Sequence, residues 1–268
     1  MKNRYTENDF TFVVCAYKES PYLEECIRSL LNQSIKCQII VSTSTPNEYI
    51  KQIVRKYSLE LYINQGPTGI AEDWNFGINQ VTTTIATLAH QDDVYCREFA
   101  EYTLEKLNSA KKPLISFCDY GEIRDGNEVN RNMLLVIKRI MLSPLKLRIF
   151  QNSVFMRRRI LSLGSPICCP SVTFVRNNLP KKIFTSQYRS DVDWQAWEKI
   201  SKLEGTFVYS NKILMFHRIH EDSATTEIIA DNDRTREDFE MFCMFWPKWI
   251  AKIIEKQYKK SENSNQVK

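Results

Sequence analysis

Short, unbroken apolar runs alternate along this chain with longer stretches in which apolar residues return every three or four positions. Phe10–Ala16 (FTFVVCA) is continuously apolar and predicts a strand buried on both faces. Tyr17-Lys18-Glu19-Ser20-Pro21 ends it, with Ser20 as the expected N-cap and Pro21 as the first residue of a helix. That helix carries Leu23, Ile27, Leu30 and Leu31 on one side. Residues 38–41 predict a second strand, 46–57 a helix, and 59–63 a third strand. After the turn Gly66-Pro67-Thr68-Gly69 comes a helix over 70–80. Residues 84–89 predict a fourth strand, stopping at His90-Gln91-Asp92-Asp93. A helix over 96–107 and a fifth strand over 114–118 follow. This alternation argues for βαβ units and a largely parallel sheet.

Past residue 120 the rhythm changes. Asp125-Gly126-Asn127 predicts a turn, and residues 131–159 a basic amphipathic region interrupted at Pro144. Residues 172–175 predict a strand, 194–203 a helix, and 206–209 and 213–216 two short strands. An aromatic-rich helix pair broken at Pro247 covers 233–258, and SENSNQVK at the end is expected to be disordered. The expected division is an α/β half over 1–120, a second half of the same domain over 121–230, and C-terminal amphipathic helices with a tail over 231–268.

A content of 43% hydrophobic and 26% charged residues is that of a globular protein. The net charge of +5 does not call for a nucleic-acid partner, although basic residues crowd into 138–159 and 248–260. None of the eight cysteines forms a CxxC pair, which argues against zinc-ribbon or thioredoxin chemistry and for a reducing compartment. The opening MKNRYTENDF has no apolar core of a signal peptide, and no apolar stretch is long enough to span a bilayer. The expectation is a cytoplasmic protein, at the inner face of the cell membrane if it meets one.

The candidate chemistry gathers at three places. A buried strand ending in Asp92 and Asp93 sets adjacent carboxylates at the carboxyl edge of a sheet, where open α/β folds bind ligands. Two such groups repel unless a cation lies between them, and Mg²⁺ or Mn²⁺ with a phosphate is the usual answer. The bland alternative is that one of them caps the next helix. All three histidines (His90, His217 and His220) stand near carboxylates, and Arg218 is a natural phosphate clamp. In Asp191-Val192-Asp193-Trp194 one carboxylate is expected to cap a helix, leaving the other for general-base work. Trp194 and Trp197 are read as core rather than as a sugar platform.

From Phe12 to Thr225 these blocks together resemble the family-two inverting glycosyltransferases of GT-A fold. VVCAYKESPYLEECIRSLLNQS (13–34) is similar to that family's first strand and helix, and GIAEDWNFGI, with Gly69, Asn75 and Gly77, to its third helix. HQDDVY resembles its DxD region, in the DQDD variant of rhamnosyltransferase-like members; SDVDW resembles its ED block and HRIHEDSAT its late RxHxxS block. The resemblance implies an α/β, Rossmann-like GT-A fold with a mostly parallel sheet flanked by helices, and a helical C-terminal extension. It implies transfer from a nucleotide diphosphate sugar, a UDP-sugar first and a dTDP-sugar second, to a glycan or lipid-linked glycan hydroxyl. It places Mn²⁺ or Mg²⁺ on Asp93, Asp92, His220 and His90, the catalytic base at Asp191, and the donor against Ala16, Tyr17, Glu19, Ser42, Asn75, Asp92 and Arg218.

Four departures stand out. Ser42-Thr43-Ser44 replaces the aspartate pair that usually ends the family's second strand. His90 stands for the first aspartate of DQDD, Trp74 for an arginine, and Ser190 for the glutamate before the base. They leave a catalytically degenerate nucleotide-sugar binder as the competing reading. A nucleotidyltransferase would want glycine in 17–21, which has none, and a nucleic-acid module would rest on the basic middle alone. For that middle and Trp246-Pro247-Lys248-Trp249, peripheral membrane contact competes with ordinary packing on the chain's own domain.

Overall fold

The computed structural model describes residues 4–220 and 233–262. The first apolar run is β1 (Phe10–Ala16), and its alternate side chains enter two different cores. Phe10, Phe12 and Val14 join α1 (Leu23–Leu31), α2 (Glu48–Lys56) and α4 (Phe99–Ser109) on one face of the sheet. Val13 faces α3 (Ile70–Gln80), α7 (Val154–Leu161) and α8 (Val192–Ser201) on the other. Burial on both faces is why the strand reads as continuous rather than alternating. Each fully buried large apolar side chain contributes roughly 1.5–3 kcal/mol.

The remaining strands are β2 (Gln38–Thr43), β3 (Glu60–Ile63), β4 (Ile85–His90), β5 (Val94–Tyr95), β6 (Pro113–Arg124), β7 (Asn127–Val129), β8 (Thr173–Val175) and β9 (Thr206–Ile219). They form one sheet in the order β3-β2-β1-β4-β8-β6-β9-β5, with β7 paired to β6. β1, β2, β3, β4, β6 and β9 point the same way; β5, β7 and β8 run against them. The mostly parallel α/β expectation therefore holds. At Gly77, α3 lies so close that an added Cβ would meet Ser42 Oγ at 2.7 Å and Val13 Cγ1 at 2.8 Å. Asp125 and Gly126, both with positive φ, make the predicted turn between β6 and β7.

Several boundaries differ from expectation, each for a physical reason. α1 starts at Leu23, because a turn intervenes in which Ser20 accepts from the Tyr22 N–H through its hydroxyl and from the Leu23 N–H through its carbonyl. The fifth predicted strand continues to Arg124, because its polar members are paired. Asp119 accepts from the Tyr209 hydroxyl, and Glu122 accepts from Arg124 and Asn132. The two short strands predicted over 206–216 are a single β9, irregular where Cys118–Asp119 of β6 faces Ser210–Ile213. The exposed Asn211 and Lys212 in that irregularity hide the continuity.

The basic middle folds as α5 (Met133–Leu142), a 3₁₀ turn through Pro144, α6 (Arg148–Gln151) and α7. The C-terminal pair is present as α9 (Asp233–Cys243) and α10 (Lys248–Glu262), with Met241, Phe242 and Ala251 in the second core. Trp194 and Trp197 are fully buried there, as expected of core residues. Residues 221–225 of the late block and 263–268 of the tail lie outside the described residues. No helix among the described residues is long and apolar enough to cross a membrane.

Candidate active site

The parallel strands β1, β2 and β4 end together, and their register sets Ser42, Cys15 and His90 side by side. From His90 the chain turns through Gln91, Asp92 and Asp93, closed by the Asp93 N–H donating to the His90 carbonyl at 3.2 Å. Gln91 clamps the β1 loop, its amide accepting from the Tyr17 N–H and donating to the Tyr17 carbonyl, each at 2.9 Å. Lys18 beside it holds a left-handed φ of 54°, fixed by its N–H donating to Thr45 Oγ1. A non-glycine residue in that conformation at a sheet edge is typical of ligand-binding loops.

Asp92 and Asp93 are not helix caps, since β5 separates them from α4. Pairing of β5 with β9 instead brings the far end of the chain to them, with Val94 opposite Phe216. Asp93 is completely buried; its Oδ1 accepts from the Arg218 N–H at 3.0 Å and pairs with His217 Nδ1 at 2.9 Å. His220 Nε2 meets Asp92 Oδ2 at 3.0 Å, and Arg218 Nε donates to the Asp92 carbonyl at 2.9 Å. The Arg218 guanidinium also pairs with Glu25 at 2.6 Å and lies over the Tyr22 ring. Arg218 thus braces the acidic turn, where the sequence suggested a phosphate contact.

Two polar atoms here are buried with no hydrogen-bond partner among the described residues: His90 Nε2 and Asp93 Oδ2. Ligand atoms of His90, Asp92 and Asp93 lie within 4.8 Å of one another. One imidazole nitrogen and two carboxylates form a donor set suited to Mn²⁺ or Mg²⁺, and buried polar atoms are seldom left unmatched. The residues fit a divalent ion. His220 is outside that group and pairs with Asp92 Oδ2. Burial lowers the His90 pKa, so its ring stays neutral with a lone pair to give, and it stacks on Trp74 at 5.1 Å. Burial would raise the Asp92 carboxyl, yet the His220 hydrogen bond and the charge of His217 hold it below its ordinary value. His217 responds the other way. Burial opposes its charge, but Asp93 outweighs that and holds its pKa up at about 9.

Around this centre, Ala16 is buried at the end of β1, while Tyr17 and Glu19 are exposed in the loop beyond. Ser42 is buried at the end of β2. Asn75 departs from its expected role. Its amide nitrogen donates to the Ala71 and Phe184 carbonyls, and its oxygen accepts from the Ile183 and Phe184 N–H groups. That uses its full capacity, so it ties the 183–184 loop to α3 rather than reaching a ligand. Asp73, not among the candidate residues above, accepts from Ser44 Oγ and Asn64 Nδ2, each at 2.8 Å. It restores a carboxylate to the edge where Ser42-Thr43-Ser44 lacks one.

The second acidic cluster divides. Asp191 occupies the N-cap position of α8 without a capping hydrogen bond. Asp193 accepts from the first-turn Trp194 N–H at 2.6 Å, while Glu237 of α9 holds the loop ahead of the helix, accepting from the N–H groups of Arg189, Ser190 and Asp191. Asp191 is buried, and burial together with the facing Asp238 pushes its pKa well above the carboxylate range. Asp193 lies on the same helical side as Trp197, which packs on Phe174 of β8. It acts electrostatically on Cys168 and Cys169, which also feel Asp93. Burial raises its pKa to about 6 while the Trp194 N–H and Lys138 pull it down. Lys138, from α5, has one hydrogen-bond partner among the described residues, the Tyr120 hydroxyl at 2.9 Å, and the Tyr120 ring abuts His217.

Comparison with known proteins shows the family and the fold. Residues 11–184 match the model of Glycosyl transferase family 2. The fold is GT-A, and the chain belongs to that family. Among curated proteins it is 26% identical over 106 residues to glycosyltransferase GlyA of Streptococcus pneumoniae serotype 4; this is 38% of the chain and 15% of that much longer relative. S. aureus TarS 1–349 in complex with UDP-GlcNAc superposes with a TM-score of 0.59 at 15% identity, covering 92% of this chain and 70% of that one. A mannosyltransferase, PcManGT from Pyrobaculum calidifontis, in complex with GDP-Man and Mn²⁺, gives 0.61 at 14% identity, covering 88% and 63%.

Proposed function

We propose that the protein transfers a sugar from a nucleotide diphosphate sugar to a hydroxyl of a glycan or lipid-linked glycan, with inversion at the anomeric carbon. The observation that carries this reading is the unmatched pair His90 Nε2 and Asp93 Oδ2, beside Asp92 at the carboxyl edge of the sheet. Mn²⁺ or Mg²⁺ held by His90, Asp92 and Asp93 would supply positive charge to the donor diphosphate and its leaving group. His217 and Arg218 fix the Asp93 carboxylate, and His220 fixes Asp92, so the donor set is rigid before any ligand arrives. The β1 loop, pinned by Gln91, and the edge formed by Ser42 and Asp73 receive the nucleoside. A UDP-sugar is the first candidate donor, since the TarS complex holds UDP-GlcNAc, and GDP- and dTDP-sugars come next.

In this reading Asp193 takes the proton from the acceptor hydroxyl. A pKa of about 6 leaves it mostly ionised at neutral pH yet basic enough to accept a proton. The positive charge of Lys138 favours the ionised form of this carboxylate. The burial of Asp191 and its raised pKa favour a second assignment, in which that residue, implied by the family resemblance, is the base. Inversion is checked by proton NMR of the first product formed from an α-linked donor. A β-linked product is the expected result, and an α-linked one would contradict the single-displacement reading.

A further inference from the structure

α5 buries Leu135 and Leu142 but is apolar on its outer side as well. Met133, Ile137 and Ile140, spaced as i, i+4 and i+7, are 74%, 41% and 65% exposed, while Lys138 of the same helix turns inward to Tyr120. The pattern continues in the neighbouring elements. Leu147 and Ile149 project around α6, Phe155 from α7, and Trp249 and Ile253, one turn apart, from α10. These elements adjoin. Arg158 donates to the Met244 carbonyl, Arg159 lies over the Trp246 ring at 4.5 Å, and Trp246 Nε1 donates to the Ser162 carbonyl at 2.8 Å. The α9–α10 corner is thereby fastened to α7. An exposed apolar face of this extent on a folded domain marks an interaction surface.

Charge says what it meets. The chain has no Asp or Glu between Glu128 and Asp191. Lys146, Arg148 and Arg159 are exposed among these apolar residues, as are Lys248, Lys252 and Lys256 on α10. We propose that this face docks on an anionic lipid bilayer, with the apolar side chains entering the headgroup boundary and the cations meeting lipid phosphates. Amphipathic helices carrying large apolar residues beside lysine and arginine bind membranes in this way. A second copy of the chain fits poorly, since a self-complementary contact would bring the same cations together. A nucleic acid would meet the cations but leave the apolar tips exposed. The inference is independent of the sugar-transfer reading, and neither falls with the other.

Cosedimentation of the full chain with vesicles tests it, using phosphatidylcholine alone or mixed with phosphatidylglycerol. Binding is expected to the mixed vesicles only, and to weaken as salt is raised. Ile140→Asp with Ile149→Asp, both at exposed sites, should abolish it while leaving the melting temperature unchanged. Arg148→Glu should weaken partitioning at least fivefold, the effect of about one surface cation. No binding to mixed vesicles at low salt would overturn the proposal. So would binding retained by the double variant, or a dimer in sedimentation velocity that the double variant dissolves.

Discussion

Asp93→Asn should cost the enzyme about 10²–10³ in turnover and remove its response to divalent metal. Asparagine keeps the shape, and its oxygen still accepts from the Arg218 N–H, so the fold should survive. What goes is the charge facing His90 Nε2 and the partner that holds His217 protonated. Two readouts separate a site effect from unfolding. In thermal denaturation without ligand the variant should melt close to the wild type. With nucleoside diphosphate and Mn²⁺ at about a hundred times the dissociation constant, the wild type should gain about 2.7 kcal/mol and the variant little. Undiminished turnover in Asp93→Asn would remove the acidic turn from the mechanism.

Asp193→Asn carries the second large effect, and its two parts have opposite signs. Loss of a general base lowers kcat by about 10²–10⁴ with little change in donor KM. Stability should rise. The folded protein holds the Asp193 proton up to a pKa of about 6, above the ordinary 3.8, so it binds more protons than the unfolded chain between those values. Stability therefore falls as pH climbs through that window, and the deficit persists above it. A neutral asparagine removes it, worth on the order of 3 kcal/mol at neutral pH. The wild-type rate should fall below pH about 6, and Asp191→Asn should cost less than about tenfold. A collapse of kcat in Asp191→Asn, with Asp193→Asn nearly normal, would transfer the base to Asp191.

Legibility from sequence tracked how local each signal is. β1 and α2 were readable because burial writes itself into Phe10–Ala16 and into the spacing of Ile50, Ile53 and Val54. The His90-Asp92-Asp93 grouping was readable for the same reason, its members being neighbours in the chain. The braces on that grouping were not. His217 and Arg218 reach Asp93 from more than a hundred residues away, through a two-residue strand and a β9 disguised by polar Ser210, Asn211 and Lys212. Asn75 looked like a ligand contact because its type suits sugars, whereas protein groups use its full capacity, and the bracing role of Arg218 on Asp92 was not visible in the sequence. Asp73 escaped because its partners Ser44 and Asn64 come from other strand ends. Nothing in the spacing of Asp191 and Asp193 tells that Glu237, from α9, caps the loop ahead of α8.

The most direct measurement is the melting temperature of the wild-type protein with UDP-, GDP- and dTDP-sugars, each with and without Mn²⁺. A nucleotide diphosphate sugar should raise it only when the metal is present, and one base should do so more than the others. Equal melting with every nucleotide, metal or none, would contradict the claim that His90, Asp92 and Asp93 hold a metal-bound sugar donor.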